Sequence, residues 1–141
     1  MPAGNLHVTL AFLGGRPAGE LGGIAGALRA AAGAAVRPEL DMHAYREARS
    51  VGMLVCGDVD GRAAALADDL FGRLEALGVY RREGRPWLPH VTVLRFRDRP
   101  RLDPQLPELG PFSPSDAAVY LSRLRPSGAQ YEVVESFALG G

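Results

Sequence analysis

Two short segments repeat one pattern of residues able to move protons, His7-Val8-Thr9-Leu10 and His90-Val91-Thr92-Val93. Each falls in a stretch rich in β-formers, Leu6–Leu13 and Leu88–Arg97, and both stretches are expected to be strands. On a strand, residues i and i+2 point to one face. His7 therefore points with Thr9, and His90 with Thr92. Val8, Leu10 and Phe12 point the other way, as do Val91 and Val93, giving an apolar face that can pack on helices. An imidazole beside a hydroxyl on the opposite face is not explained by core packing. Two imidazoles brought to one groove can divide acid–base work, one accepting a proton and the other donating it. In-line displacement at phosphorus has this requirement: a base on the attacking water and an acid on the leaving oxygen. The hydroxyls can bond non-bridging phosphate oxygens and hold the imidazoles in register. A single His-x-Thr is a weak signal. Two copies with matching alternation are a much stronger one.

The elements that must position these groups can be traced along the chain. Ala18–Ala35 has Leu21, Ile24, Ala25 and Leu28 at helical spacing and is expected to be a helix despite its glycines. Val36–Met42 is expected to form a short strand, and Val51–Cys56 a buried one closed by Gly57-Asp58. Ala63, Leu66, Leu70, Leu74 and Leu77 recur every three or four residues, so Arg62–Leu77 is a helix stopped by Gly78. Ala117–Leu124 and Gln130–Val134 flank Arg125-Pro126-Ser127-Gly128, a hairpin signature. The class is α+β with mostly antiparallel sheet. The repeated motif, each copy accompanied by one helix, predicts two pseudo-symmetric lobes facing a central groove, with helices on the outer faces.

Composition excludes several alternatives. The 141 residues fit a single domain spanning 1–141. Sixteen basic residues balance 16 acidic ones, which argues against coating nucleic acid by bulk charge. Recognition of one nucleotide or one RNA end remains open. All the basic residues are Arg, so Schiff-base and P-loop lysine chemistry are absent. Cys56, the single cysteine, lies in an apolar run and is expected to be a small buried hydrophobe. No apolar run is long enough to span a membrane, and no signal peptide is recognisable, so a cytoplasmic protein without membrane association is expected. No metal-binding pattern is present: there is no HExxH, and His43 sits in a polar stretch expected to be an exposed loop.

The residues 5–14, from Asn5 through His7 and Thr9 to Gly14, resemble the first motif of the 2H phosphoesterase superfamily, in particular its bacterial RNA 2′,3′-cyclic phosphodiesterases, also called 2′-5′ RNA ligases. Arg85–Arg95, with Trp87, His90 and Thr92, resembles the second motif, and Leu121–Tyr131 the closing hairpin. The resemblance covers nearly the whole chain. It implies a metal-independent hydrolase without cofactor, opening 2′,3′-cyclic phosphates on RNA ends or nucleotides to 2′-phosphates, with reverse 2′-5′ ligation in vitro; the chain is expected to be a monomer. It implies His7 as the acid on the departing 3′ oxygen and His90 as the base on water, while Thr9 and Thr92 hold the phosphate. The two motifs by themselves are equivalent and do not separate acid from base. The family's usual first strand and helix precede the first motif. Met1 lies only six residues before His7, so those two elements are expected to be missing.

Other side chains have competing roles. Arg95, five residues past His90, is a phosphate contact or a surface charge. Strict alternation sets it on the face opposite His90, so a phosphate contact needs a bulge. Arg81, Arg82, Arg85, Arg95, Arg97, Arg99 and Arg101 form either a solvated face or a patch for an RNA backbone. Phe12, Trp87, Phe96 and Tyr131 stack a base or line core and groove. Two other functions compete with RNA-end hydrolysis: a non-catalytic nucleotide or RNA-end binding module, and the same chemistry on a small cyclic nucleotide. A metal hydrolase is the third, distinguished by sensitivity to EDTA.

Overall fold

Apolar residues at helical spacing produce two helices, α1 (Leu21–Ala34) and α2 (Arg62–Ala76). The computed structural model describes residues 6–106, 108 and 110–140. A short 3-10 turn, Ala18–Glu20, leads into α1. Ala31 and Ala32 are 0% exposed, and such small side chains allow close approach of neighbouring elements. Leu66, Leu70 and Leu74 of α2 join Ile24, Leu28, Ala31 and Ala32 of α1 in one core cluster with Val79 and Leu139. Both carboxylate oxygens of Asp58 accept first-turn N–H groups of α2, those of Ala63 and Ala64, each at 2.8 Å. Gly78, with φ of +74°, ends the helical region.

Five strands follow the expected order: β1 (Leu40–Ala48), β2 (Val51–Asp58), β3 (His90–Arg95), β4 (Asp116–Arg125) and β5 (Gly128–Ala138). They form an antiparallel three-stranded sheet, β1-β2-β3, and an antiparallel β4-β5 hairpin. The architecture is the expected α+β fold of two sheets with helices on their outer faces. In the first sheet, Leu40 and Cys56 form a second core cluster with Ala63 of α2, against which Val8, Trp87, Val91 and Phe112 pack. In the hairpin, Ala117, Val119 and Phe137 pack on the α1–α2 core. Each sheet thus has one helix-covered face and one face turned away. No described helix is long and apolar enough to cross a membrane.

Four expectations need correction. Leu6–Leu13 is not a strand: its ladder is one isolated antiparallel bridge, Val8 to Val91. The chain bends at Leu10, and Leu10, Ala11 and Leu13 turn to the helical core, so apolar burial replaces alternation after Thr9. Phe12, expected on the packed face, is 80% exposed. His43 is exposed as expected but lies within β1, not in a loop; the strand expected at Val36–Met42 starts at Leu40 and runs on to Ala48. Asn5, which opens the first matching segment, lies outside the described residues.

Candidate active site

The bridge between Val8 and Val91 organises the site. Bridged residues share a face, and the residues flanking them take the opposite one. Val8 and Val91 pack on the cluster of Leu40, Cys56 and Ala63, which fixes their side as the helix side. His7, Thr9, His90 and Thr92 consequently take register positions on the open side. Antiparallel pairing sets His7 alongside Thr92 and Thr9 alongside His90. A second tie reinforces the first, since the Nε1–H of Trp87 donates to the Thr9 carbonyl at 3.1 Å. Trp87 thereby holds the first motif and packs on the second core cluster.

The two imidazoles have different surroundings. The Nδ1 of His90 lies 2.8 Å from the Leu88 carbonyl oxygen. A carbonyl only accepts, so Nδ1 carries the proton, and in the neutral ring Nε2 holds the free electron pair. The His7 ring rests among aromatic side chains of the hairpin. It meets Tyr131 edge-on with centroids 5.0 Å apart and Tyr120 at 6.2 Å, with 30° between the planes. Such contacts fix the position and tilt of a ring. The motifs look alike in the sequence, whereas the structure distinguishes them: a backbone carbonyl orients one imidazole and tyrosine rings surround the other.

The hairpin register explains the tyrosines. Tyr120 pairs with Val133 and Ser122 with Tyr131, so these four share one face. Alternation along β4 makes this the face opposite Ala117 and Val119, away from α1. A register shift after Val119, with Val134 as the extra residue of β5, turns Tyr131 and Val133 onto that face. Tyr120 is not among the candidates the sequence offers, although its alternation with Val119 and Leu121 is a usable signal. Ser122 is exposed beside it.

The bulge that Arg95 needs is present. Val51 pairs with Arg95 and Gly52 with Leu94, whereas Met53 pairs with Thr92, leaving Val93 as an extra residue of β3. Val51, Met53 and Val55 alternate strictly on β2, so their partners Arg95, Thr92 and His90 share one face. Two of the other arginines around the second motif are already paired with carboxylates. Arg82 pairs with Glu75 at 2.7 Å and Asp68 at 2.6 Å, and Arg85 pairs with Glu83 at 2.8 Å. Those three carboxylates occupy two of the seven guanidinium groups.

Cys56 is buried, and burial, with the Asp41 charge, pushes its thiol up from the ordinary range. A thiol held protonated is a poor nucleophile, which agrees with its expected role as a packing residue. Among the described residues no group of three or more His, Cys, Asp or Glu is placed to hold a metal ion.

No family model and no curated protein matches the chain. Solved structures do. The chain is similar to TT0787 of Thermus thermophilus, with 27% identity and a TM-score of 0.83 over 100% of this chain and 81% of that one. It is similar in fold to E. coli LigT in its apo form, at 23% identity and a TM-score of 0.77, over 100% and 80% of the two chains. A phosphoesterase aligns at 25% identity and a TM-score of 0.70, over 97% and 78%. LigT also aligns in its complexes with 3′-AMP and with phosphate, each at a TM-score of 0.75.

Proposed function

From a fold of the 2H phosphoesterase kind, we propose that this chain is a phosphodiesterase that hydrolyses 2′,3′-cyclic phosphates at RNA ends to 2′-phosphates. The observation that carries the proposal is the Val8–Val91 bridge, which sets both His-x-Thr pairs on one open face. In the proposed reaction the Nε2 of His90 takes a proton from water as its oxygen attacks phosphorus. The bond from phosphorus to the 3′ oxygen breaks, and His7 donates a proton to that oxygen. Net, water is added, leaving a 2′-phosphate beside a free 3′ hydroxyl. The fixed Nδ1–H of His90 favours it as the base. Thr9 and Thr92 donate to the non-bridging oxygens, and Arg95 offsets their charge. These steps need no metal or cofactor. With the 5′ hydroxyl of a second strand in place of water, the same steps form a 2′-5′ linkage, which is the basis for ligation in vitro. Complexes of LigT with 3′-AMP and phosphate support a nucleotide-sized ligand with a phosphate group.

The test is turnover of an oligonucleotide ending in a 2′,3′-cyclic phosphate, in the presence of EDTA. Activity is expected to persist, and His7→Ala and His90→Ala are each expected to lower it by about 10²- to 10⁴-fold with an unchanged circular dichroism spectrum. No turnover, or turnover indifferent to both substitutions, would refute the proposal. Tight binding of a 2′-phosphorylated nucleotide without turnover would instead identify a binding module.

A further inference from the structure

The open face of the three-stranded sheet carries one more cation, on the strand farthest from His90. Arg46 of β1 pairs with Met53 of β2, and Met53 also pairs with Thr92 of β3. Arg46, Met53 and Thr92 therefore form one row across the sheet on the face of His90 and Arg95. Alternation counted from Leu40 would turn Arg46 to the helix side. His43, the extra residue of β1 between Met42 and Ala44, reverses that. Arg46 is exposed, and neither it nor Arg95 makes an ion pair or side-chain hydrogen bond among the described residues. The neighbouring carboxylate on β1, Glu47, lies on the other face and is occupied by the Tyr45 hydroxyl and the N–H groups of Arg101 and Leu102. Between Arg46 and the site stand Val51 and Met53, half-buried and without a charged group.

We propose that Arg46 binds the phosphodiester on the 5′ side of the reacting nucleotide and makes the protein prefer RNA strands to cyclic mononucleotides. This rests on the function proposed above. A strand ending in a 2′,3′-cyclic phosphate has nothing beyond that end, so its next phosphate is on the 5′ side. With the terminal phosphate between His7 and His90, a strand leaving across the sheet passes over β2 and meets β1, two strand spacings or about 10 Å away. The first charged side chain opposite Thr92 on that path is Arg46, and its guanidinium matches a phosphodiester in geometry as well as charge. The half-buried Val51 and Met53 give the intervening ribose an apolar floor.

The experiment compares kcat/KM on a nucleoside 2′,3′-cyclic phosphate with that on a trinucleotide bearing the same end, for the wild type, Arg46→Ala and Arg46→Lys. The wild type is expected to favour the trinucleotide. Arg46→Ala is expected to lower the ratio of trinucleotide to mononucleotide rates by about tenfold, through KM. Arg46→Lys should retain part of it, since the charge remains and the fork is lost. The salt dependence of trinucleotide KM should weaken in Arg46→Ala, as one phosphate contact is removed. A ratio unchanged in Arg46→Ala overturns the inference and leaves the proposed reaction standing, and so does an equal fall on both substrates. A wild type that turns over neither substrate overturns both.

Discussion

Trp87 holds the backbone of Thr9 through its indole N–H, so the second motif positions part of the first. Replacing it with Phe keeps an aromatic ring in the core and deletes that bond. Trp87→Phe is expected to cost about 1 kcal/mol in denaturant unfolding and to lower kcat/KM by roughly tenfold or more, because small displacements of positioned groups cost far more in rate than in stability. Unfolding loss without a rate effect would show that the bond serves packing alone. The identities of His7, Thr9, His90 and Thr92 were legible in the sequence because alternation needs only neighbouring residues. The Trp87–Thr9 bond and the Tyr120 and Tyr131 contacts of His7 were not, because they join residues that only tertiary folding brings together.

Between residues and fold lie the register shifts. Three extra residues, His43 in β1, Val93 in β3 and Val134 in β5, decide which side chains face the groove. None is a glycine, so no composition signal marks them, and alternation alone turns Arg46 and Arg95 to the wrong face. The helices and hairpin were legible because spacing and turn residues determine them locally. The segment after β3 has a different anchor. Glu47 accepts N–H bonds from Arg101 and Leu102 and a hydroxyl bond from Tyr45. Partial desolvation raises the pKa of this carboxyl, but those bonds, with the Arg99 charge, outweigh it and hold it below the ordinary value of 4.5. A carboxyl with a depressed folded pKa contributes stability that is present above its unfolded pKa and lost as pH falls through the folded one. Glu47→Gln is therefore expected to be less stable than the wild type at neutral pH, with the gap closing as pH drops below the ordinary value of 4.5. Urea midpoints measured from neutral to acid pH check this, and a gap independent of pH would contradict it.

Over the whole molecule, α2 belongs to both cores. Ala63 at its start packs with Leu40 and Cys56, while Leu66, Leu70 and Leu74 pack against α1. The two lobes should therefore lose structure together. Leu74→Ala, at a position 2% exposed, is expected to cost about 2–5 kcal/mol. Trp87, the single tryptophan, packs on the second core and reports on it. Its fluorescence should unfold coincidently with far-ultraviolet circular dichroism in both wild type and variant. Separate midpoints would mean that the lobes unfold independently.

The bridge from Val8 to Val91 also bears on the order in which the molecule is made. During synthesis His7 emerges before the strand that must receive its neighbour, which is translated only after both helices and two strands of the first sheet. Contacts so distant along the chain form slowly, since a long loop must close before they repay its entropy. A nascent chain ending before β3 would already hold both helices, yet His7 would have no His90 to face. Assembly of the groove is thus postponed to a late stage of folding, so partly made chains would lack the paired His-x-Thr arrangement.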